Sequence, residues 1–104
     1  MIKVSLKYSD NLIDSIEITG HANYDLYGKD IVCASVSSIV ITSVNGIIRL
    51  DSNSIDYKNN DGIFISILNH NKVVDTLIDN MVSLLKELEK QYKKNIIIKE
   101  VHSC

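Results

Sequence analysis

Hydrophobic and polar residues alternate near the N-terminus with the period of two that is typical of a half-buried strand. Residues 2–7 alternate isoleucine, valine and leucine with lysine and serine, and residues 13–18 repeat the alternation less regularly. A polar cluster at residues 9–11, Ser-Asp-Asn, separates the two stretches and favours a turn. The pattern therefore predicts two strands joined as a β-hairpin.

Two later stretches have the spacing of helices. From Asp30 to about Leu50, apolar or small residues occupy most of the helical circumference, so we expect a helix that is buried on more than one side. From about Lys72 to Lys93, apolar residues recur at intervals of three and four, which predicts an amphipathic helix. Asn71 can cap the start of this second helix.

Short alternating stretches at residues 55–58 and 63–67 flank Asn59-Asn60-Asp61-Gly62, a strong signal for a second hairpin. Residues 96–101 form a final apolar stretch that predicts a strand. The resulting order is ββαββαβ. We expect a single α+β domain over residues 1–104, in which two helices pack on a mostly antiparallel sheet in two layers.

Composition and charge narrow the possible functions. Hydrophobic residues make up 45% of the chain, and 13 acidic residues against 11 basic ones give a net charge of −2. This balance is typical of a folded globular protein and disfavours a nucleic-acid interface. The chain has no uninterrupted apolar run of membrane-spanning length, no signal-peptide layout and two cysteines, Cys33 and Cys104. We expect a reduced, cytoplasmic protein that contacts neither nucleic acid nor membrane.

One segment carries residues suited to nucleophilic catalysis. If Asp30 caps the first helix, Cys33 lies in its first turn, where free N–H groups and the helix dipole stabilise a thiolate. His21 precedes a loop that could fold it back toward the same helix end. An imidazole there could take the thiol proton and later protonate a leaving amine. The N–H groups of the first turn could stabilise an oxyanion.

Simpler interpretations of these residues remain open on spacing alone. A single cysteine at a helix start is commonly a small buried hydrophobic residue, and Asp30 can be a helix cap without any catalytic role. Four potential metal ligands, His21, Asp25, Asp30 and Cys33, lie in the segment, but they lack the paired spacing of a metal site. We therefore expect no metal and no cofactor.

Read as a whole, residues 20–38, GHANYDLYGKDIVCASVSS, closely resemble the signature of the ribosomal-processing cysteine protease (Prp) family. The resemblance extends over essentially the whole chain, including its length and element order. It implies that His21 is the catalytic histidine and Cys33 the nucleophile. It also matches Asp30 to the acidic residue before the helix and Ser37 to the serine one turn after the nucleophile.

The resemblance further implies a cysteine endopeptidase that acts as a homodimer with a loop over its active site. Its substrate would be a precursor of the twenty-seventh protein of the large ribosomal subunit, from which it removes an N-terminal extension ending in apolar and aromatic residues. In the substrate loop, Tyr24, Leu26 and Tyr27 suit an apolar, aromatic peptide, and Gly20 and Gly28 are expected to give the loop ends backbone freedom. The alternative is a ribosome-associated module that binds the same peptide without cutting it.

Overall fold

A computed structural model describes residues 1–22 and 30–103 of the chain. In these residues the elements follow the predicted order ββαββαβ. Their bounds are β1 Ile2–Ser9, β2 Leu12–Thr19, α1 Ile31–Leu50, β3 Ile55–Asn59, β4 Ile63–Ile67, α2 Lys72–Gln91 and β5 Ile96–His102. The α+β class is confirmed.

The five strands form one mixed sheet in the order β3-β4-β2-β1-β5. The pairs β3–β4, β4–β2 and β2–β1 are antiparallel, and β1 pairs with β5 in parallel. The expectation of a mostly antiparallel sheet is therefore confirmed. The parallel pair places the start of β5, at Ile96, beside Ile2 at the start of β1.

The β1–β2 hairpin turns on Asp10 and Asn11, whose φ angles of 52° and 64° are both positive. Two-residue hairpin turns of this kind match the twist of the strands they join, and aspartate and asparagine tolerate the conformation. A β-bulge follows in β2: Lys7 pairs with Ser15 and Tyr8 pairs with Ile13, which leaves Asp14 as the extra residue.

Both helices pack on one face of the sheet, as the two-layer prediction required, and that face is the apolar one. Its strand residues include Ile2, Val4, Leu6, Ile16, Ile18, Ile65 and Ile96. The helices contribute Val32, Val36, Val40, Val44, Ile47, Val74, Ile78, Met81, Val82, Leu85 and Leu88. The opposite face of the sheet carries exposed charged side chains such as Lys3, Lys7 and Glu17.

In the single chain α1 is buried on one side, so the prediction that it is buried on more than one side is wrong for the single chain. Its buried residues form one stripe at intervals of four and three, while Ile31, Ile41, Ile48 and Leu50 are exposed. The reason is the two-layer arrangement, in which α1 contacts the sheet and α2 and leaves its outer surface free. By length and composition α1 also meets the criterion for a membrane span, which core helices of soluble proteins meet as well.

Candidate active site

A cleft of about 560 Å³ opens at one end of the sheet. It lies between the end of β2, the start of α1 and the turn of the β3–β4 hairpin. The residues that line it are Ile2, Ile18, Thr19, Gly20, His21, Cys33, Val36, Ser37, Asn59, Asp61, Gly62 and Ile63. The cleft thus brings together His21, Cys33, Ser37 and Gly20 from the set predicted by sequence.

Cys33 lies in the first turn of α1, as the spacing predicts. Asp30 is the N-cap: its Oδ1 accepts hydrogen bonds from the backbone N–H groups of Val32 and Cys33 at 2.9 and 3.0 Å. The Cys33 side chain is half-buried and packs against the core. The backbone N–H of Ala22, three residues after the end of β2, donates a hydrogen bond to Cys33 Sγ at 3.3 Å.

His21 is exposed and immediately precedes Ala22, the residue that contacts the sulfur. Both His21 and Cys33 line the cleft. Among residues 1–22 and 30–103, no hydrogen bond joins the His21 ring to Cys33 Sγ. Catalytic hydrogen bonds are often longer in free enzymes and tighten in the substrate complex, so this arrangement is compatible with a catalytic pair.

Three N–H groups of the first turn, which the sequence predicts as oxyanion donors, already have acceptors within the chain. The N–H groups of Val32 and Cys33 are already engaged by the Asp30 carboxylate, and Ala34 N donates to the Asp30 backbone oxygen. The same carboxylate places negative charge at the helix start, which offsets part of the helix dipole. The sulfur itself accepts a hydrogen bond from the Ala22 N–H, which lies outside α1.

The remaining predicted site residues are Ser37 and four residues of the loop between β2 and α1. Ser37 is exposed and lines the cleft one turn after Cys33. Four of the predicted loop residues lie outside the described part of the chain: Tyr24, Leu26, Tyr27 and Gly28. Across residues 1–22 and 30–103, no three histidine, cysteine or acidic side chains are grouped so that they could hold a metal ion.

Two contributions to the site are not predicted by the sequence. The β3–β4 turn supplies Asn59, Asp61 and Gly62 to the cleft, although its sequence signalled a turn and nothing more. Asn95, between α2 and β5, donates from its side-chain Nδ2 to the Ala22 carbonyl at 2.9 Å. No sequence signal links Asn95 to a segment more than seventy residues earlier in the chain.

Comparison with known proteins decides the family. A family model described as cysteine protease Prp matches residues 1–97. The chain belongs to the Prp family. Two curated relatives, each called ribosomal processing cysteine protease Prp, are similar along most of their length. One, from Staphylococcus aureus strain Mu50, is 35% identical, with 92% of this chain and 95% of the relative covered. The other, from Bacillus subtilis strain 168, is 32% identical, with 92% and 94% covered.

A solved Prp structure has the same fold. It is the S. aureus essential ribosomal processing protease Prp in complex with a covalently linked product peptide. Its TM-score against this chain is 0.92 at 30% sequence identity, covering 97% of this chain and 100% of that one. As a member of the Prp family, the chain is a cysteine protease, and the alternative of a module that binds without cutting is set aside.

Proposed function

We propose that the chain is an endopeptidase that removes the N-terminal extension from a precursor of the twenty-seventh large-subunit ribosomal protein, using Cys33 and His21. The observation that carries the proposal is the Ala22 N–H contact with Cys33 Sγ, in a cleft that His21 also lines. The cleft therefore holds a nucleophile, Cys33, a neighbouring base, His21, and space for a peptide. The site of action would be the cytoplasm, where ribosomal proteins are made.

Two observations support this substrate. The relatives are ribosomal processing proteases by name, and one was crystallised with a covalently linked product peptide. About half of the cleft surface is apolar, with Ile2, Ile18, Val36 and Ile63 among polar lining residues, so part of it suits the apolar and aromatic end of the expected extension.

In the first half of the reaction, the His21 imidazole takes the thiol proton and Cys33 Sγ attacks the scissile carbonyl carbon. The carbonyl π electrons move to the oxygen. The tetrahedral intermediate then collapses, the C–N bond breaks, and the His21 imidazolium protonates the leaving amine. The product that remains is a thioester between Cys33 and the extension peptide.

In the second half, His21 takes a proton from water, and the resulting hydroxide attacks the thioester carbon. Collapse of this intermediate breaks the C–S bond, and the His21 imidazolium returns its proton to the Cys33 sulfur. The extension leaves as a carboxylic acid, which loses its proton to solvent. Ala22 N–H stabilises the sulfur whenever it carries negative charge, because a hydrogen bond to a charged acceptor is stronger than one to a neutral acceptor.

Asp30 and Ser37 support the pair in different ways. Asp30 holds the first turn of α1 in place and so sets the position of the Cys33 backbone. Ser37 presents an exposed hydroxyl to the cleft one turn later, where it would hydrogen-bond the backbone of a bound peptide.

The test is incubation of the protein with a synthetic peptide that carries the extension and its cleavage site, followed by mass spectrometry. We expect one cut in the wild type, and a loss of kcat of at least about 10³-fold in Cys33→Ala. His21→Ala should lower kcat by about 10²–10⁴-fold, since general acid–base catalysis contributes that much.

Matched variants control for loss of a cysteine or a histidine as such. Cys104→Ser removes the other cysteine, and His102→Gln removes an exposed histidine on β5. Both should cleave at the wild-type rate. A Cys33→Ala variant that still cuts the peptide, or a wild type that binds it without cutting, would refute the proposal.

A further inference from the structure

Asn95 occupies the turn between α2 and β5 and connects three parts of the fold. Its backbone N–H donates to the Tyr92 carbonyl at 2.9 Å, and its backbone carbonyl accepts from Ile2 N at 2.8 Å. Its side-chain Nδ2 donates to the Ala22 carbonyl at 2.9 Å. The residue thus joins the end of α2 and the start of β1 to the segment that contains His21.

Ala22 lies between Asn95 and Cys33 in this chain of contacts. Its carbonyl accepts from Asn95, and its own N–H donates to Cys33 Sγ. These two bonds lie on either side of one α-carbon, so together they restrain both backbone dihedrals of Ala22. Ala22 is 2% exposed, and this burial holds the segment against the core.

The sheet does not restrain this segment. β2 ends at Thr19, whose pairing with Lys3 is the last of the β1–β2 ladder near the cleft. Beyond that point the described segment, Gly20 to Ala22, has the Asn95 and Cys33 contacts in place of ladder hydrogen bonds. The position of the donor that meets the sulfur therefore depends on the burial of Ala22 and on the hydrogen bond from the Asn95 side chain.

We propose that Asn95 is a positioning residue, which holds Ala22 so that its N–H meets the Cys33 sulfur and His21 stays at the cleft. The inference rests on the proposed role of Cys33 as the nucleophile. A displaced Ala22 would leave the sulfur without its donor and would move the adjacent histidine. Displacements of about 1 Å in a catalytic site can lower the rate by about 100-fold.

The fold itself uses the backbone of Asn95, not its side chain. The bonds to Tyr92 and Ile2 involve the Asn95 peptide groups, so they persist when the side chain is replaced. Asn95→Ala thus removes the contact with Ala22 and leaves these two bonds in place. Asn95→Asp is nearly isosteric but turns the donor into an acceptor, which faces the Ala22 carbonyl and repels it.

The matched control is Asn69→Ala. Asn69 also donates from Nδ2 to a backbone carbonyl, that of Asn53 at 3.1 Å, in an exposed position outside the cleft. Removing it deletes the same type of hydrogen bond without touching the site. All variants are made in a Cys104→Ser background, so that iodoacetamide alkylates Cys33 alone.

We expect Asn95→Ala and Asn95→Asp to lower kcat for the extension peptide by about 10–100-fold, with KM changed by less than about twofold. Alkylation of Cys33 at pH 7 should slow by about 3–10-fold, because the thiolate loses a positioned donor. Asn69→Ala should match the wild type in kcat and in alkylation, and its melting temperature should fall less than that of Asn95→Ala, because its hydrogen bond is exposed and that of Asn95 is partly buried.

Wild-type kcat in both Asn95 variants would overturn the inference, and so would loss of the folded state in both, since the role would then be structural. The proposed function is tested independently of Asn95. It fails if the wild type does not cleave the peptide, or if Cys33→Ala still cleaves it. A drop in kcat confined to the Asn95 variants, with folding retained, supports the positioning role.

Discussion

Gly20 links β2 to His21 and occupies a backbone position that other residues cannot adopt without strain. Its φ is +85°, and a Cβ built there would overlap the backbone carbonyl oxygen of Met1. We expect Gly20→Ala to lower the free energy of unfolding by about 1–3 kcal/mol, the usual cost of a strained backbone conformation. It should also lower kcat, because the segment that relieves the overlap carries His21. Urea unfolding and peptide cleavage measure the two effects.

Gly46 is a control for Gly20, because substitution by alanine there should stabilise the chain. It lies within α1, and a Cβ added there meets nothing within 4 Å. Gly46→Ala should therefore raise the free energy of unfolding by up to about 1 kcal/mol, the difference in helix propensity, and leave cleavage unchanged. Equal stability of the Gly20→Ala variant and the wild type would contradict the close approach to Met1.

The sequence predicts the position of those site residues that depend only on their neighbours in the chain. Asp30 as the cap and Cys33 in the first turn follow from spacing, because a cap and its helix are adjacent in the chain. The Ala22 donor and the Asn95 contact could not be predicted. A backbone N–H carries no sequence signature, and Asn95 meets Ala22 only because β5 pairs beside β1.

His70 joins two elements, β2 and α2. One ring nitrogen, Nδ1, lies 2.7 Å from Asp75 in the first turn of α2, and the other, Nε2, lies 3.0 Å from Asp14 at the bulge of β2. The hydrogen bond to Asp75 is the main cause that raises the pKa of His70 above its ordinary value, and the bond to Asp14 adds to it. The protonated ring therefore stabilises the contact between the two elements.

This contact makes stability depend on pH. Because the folded-state pKa of His70 is raised, its contribution is fully present below the unfolded value of about 6.5 and is lost as the pH rises through the folded value. We expect the wild type to exceed His70→Gln in unfolding free energy by about 1 kcal/mol or less at pH 5.5, and by a smaller amount at pH 8.5. Urea unfolding at the two pH values measures this, and a difference independent of pH would contradict the assignment.

The elements themselves are largely predictable, because hairpins and capped helices are encoded locally. The two hairpins have their turn residues in place, and Asp30 and Asn71 cap the helices as expected. The parallel pairing of β5 with β1 is different, since it joins the two ends of the chain. A run of isoleucines such as residues 96–98 predicts a strand, and does not show which strand it pairs with.

At the scale of the whole molecule, the sheet order assembles the cleft from distant parts of the chain. β2 lies between β1 and β4, so its end meets the start of β1 and the turn before β4. α1 then begins beside the same point and adds Cys33. The motif that holds His21 and Cys33 is local in sequence, but the walls that would bind a peptide come from the sheet order, which periodicity does not reveal.

The outer surface of α1 indicates how whole molecules associate. Ile41 and Ile48 are 45% and 38% exposed, lie seven residues apart and therefore share one side of the helix, and Arg49 is the one charged residue of α1. Exposed apolar surface of this kind favours association, so we predict a two-fold dimer through α1. Sedimentation at micromolar concentration should give a dimer for the wild type and for Ser83→Glu on the exposed part of α2, and a monomer for Ile41→Glu. A monomeric wild type would refute the prediction, whereas a dimer that persists in Ile41→Glu would place the interface elsewhere.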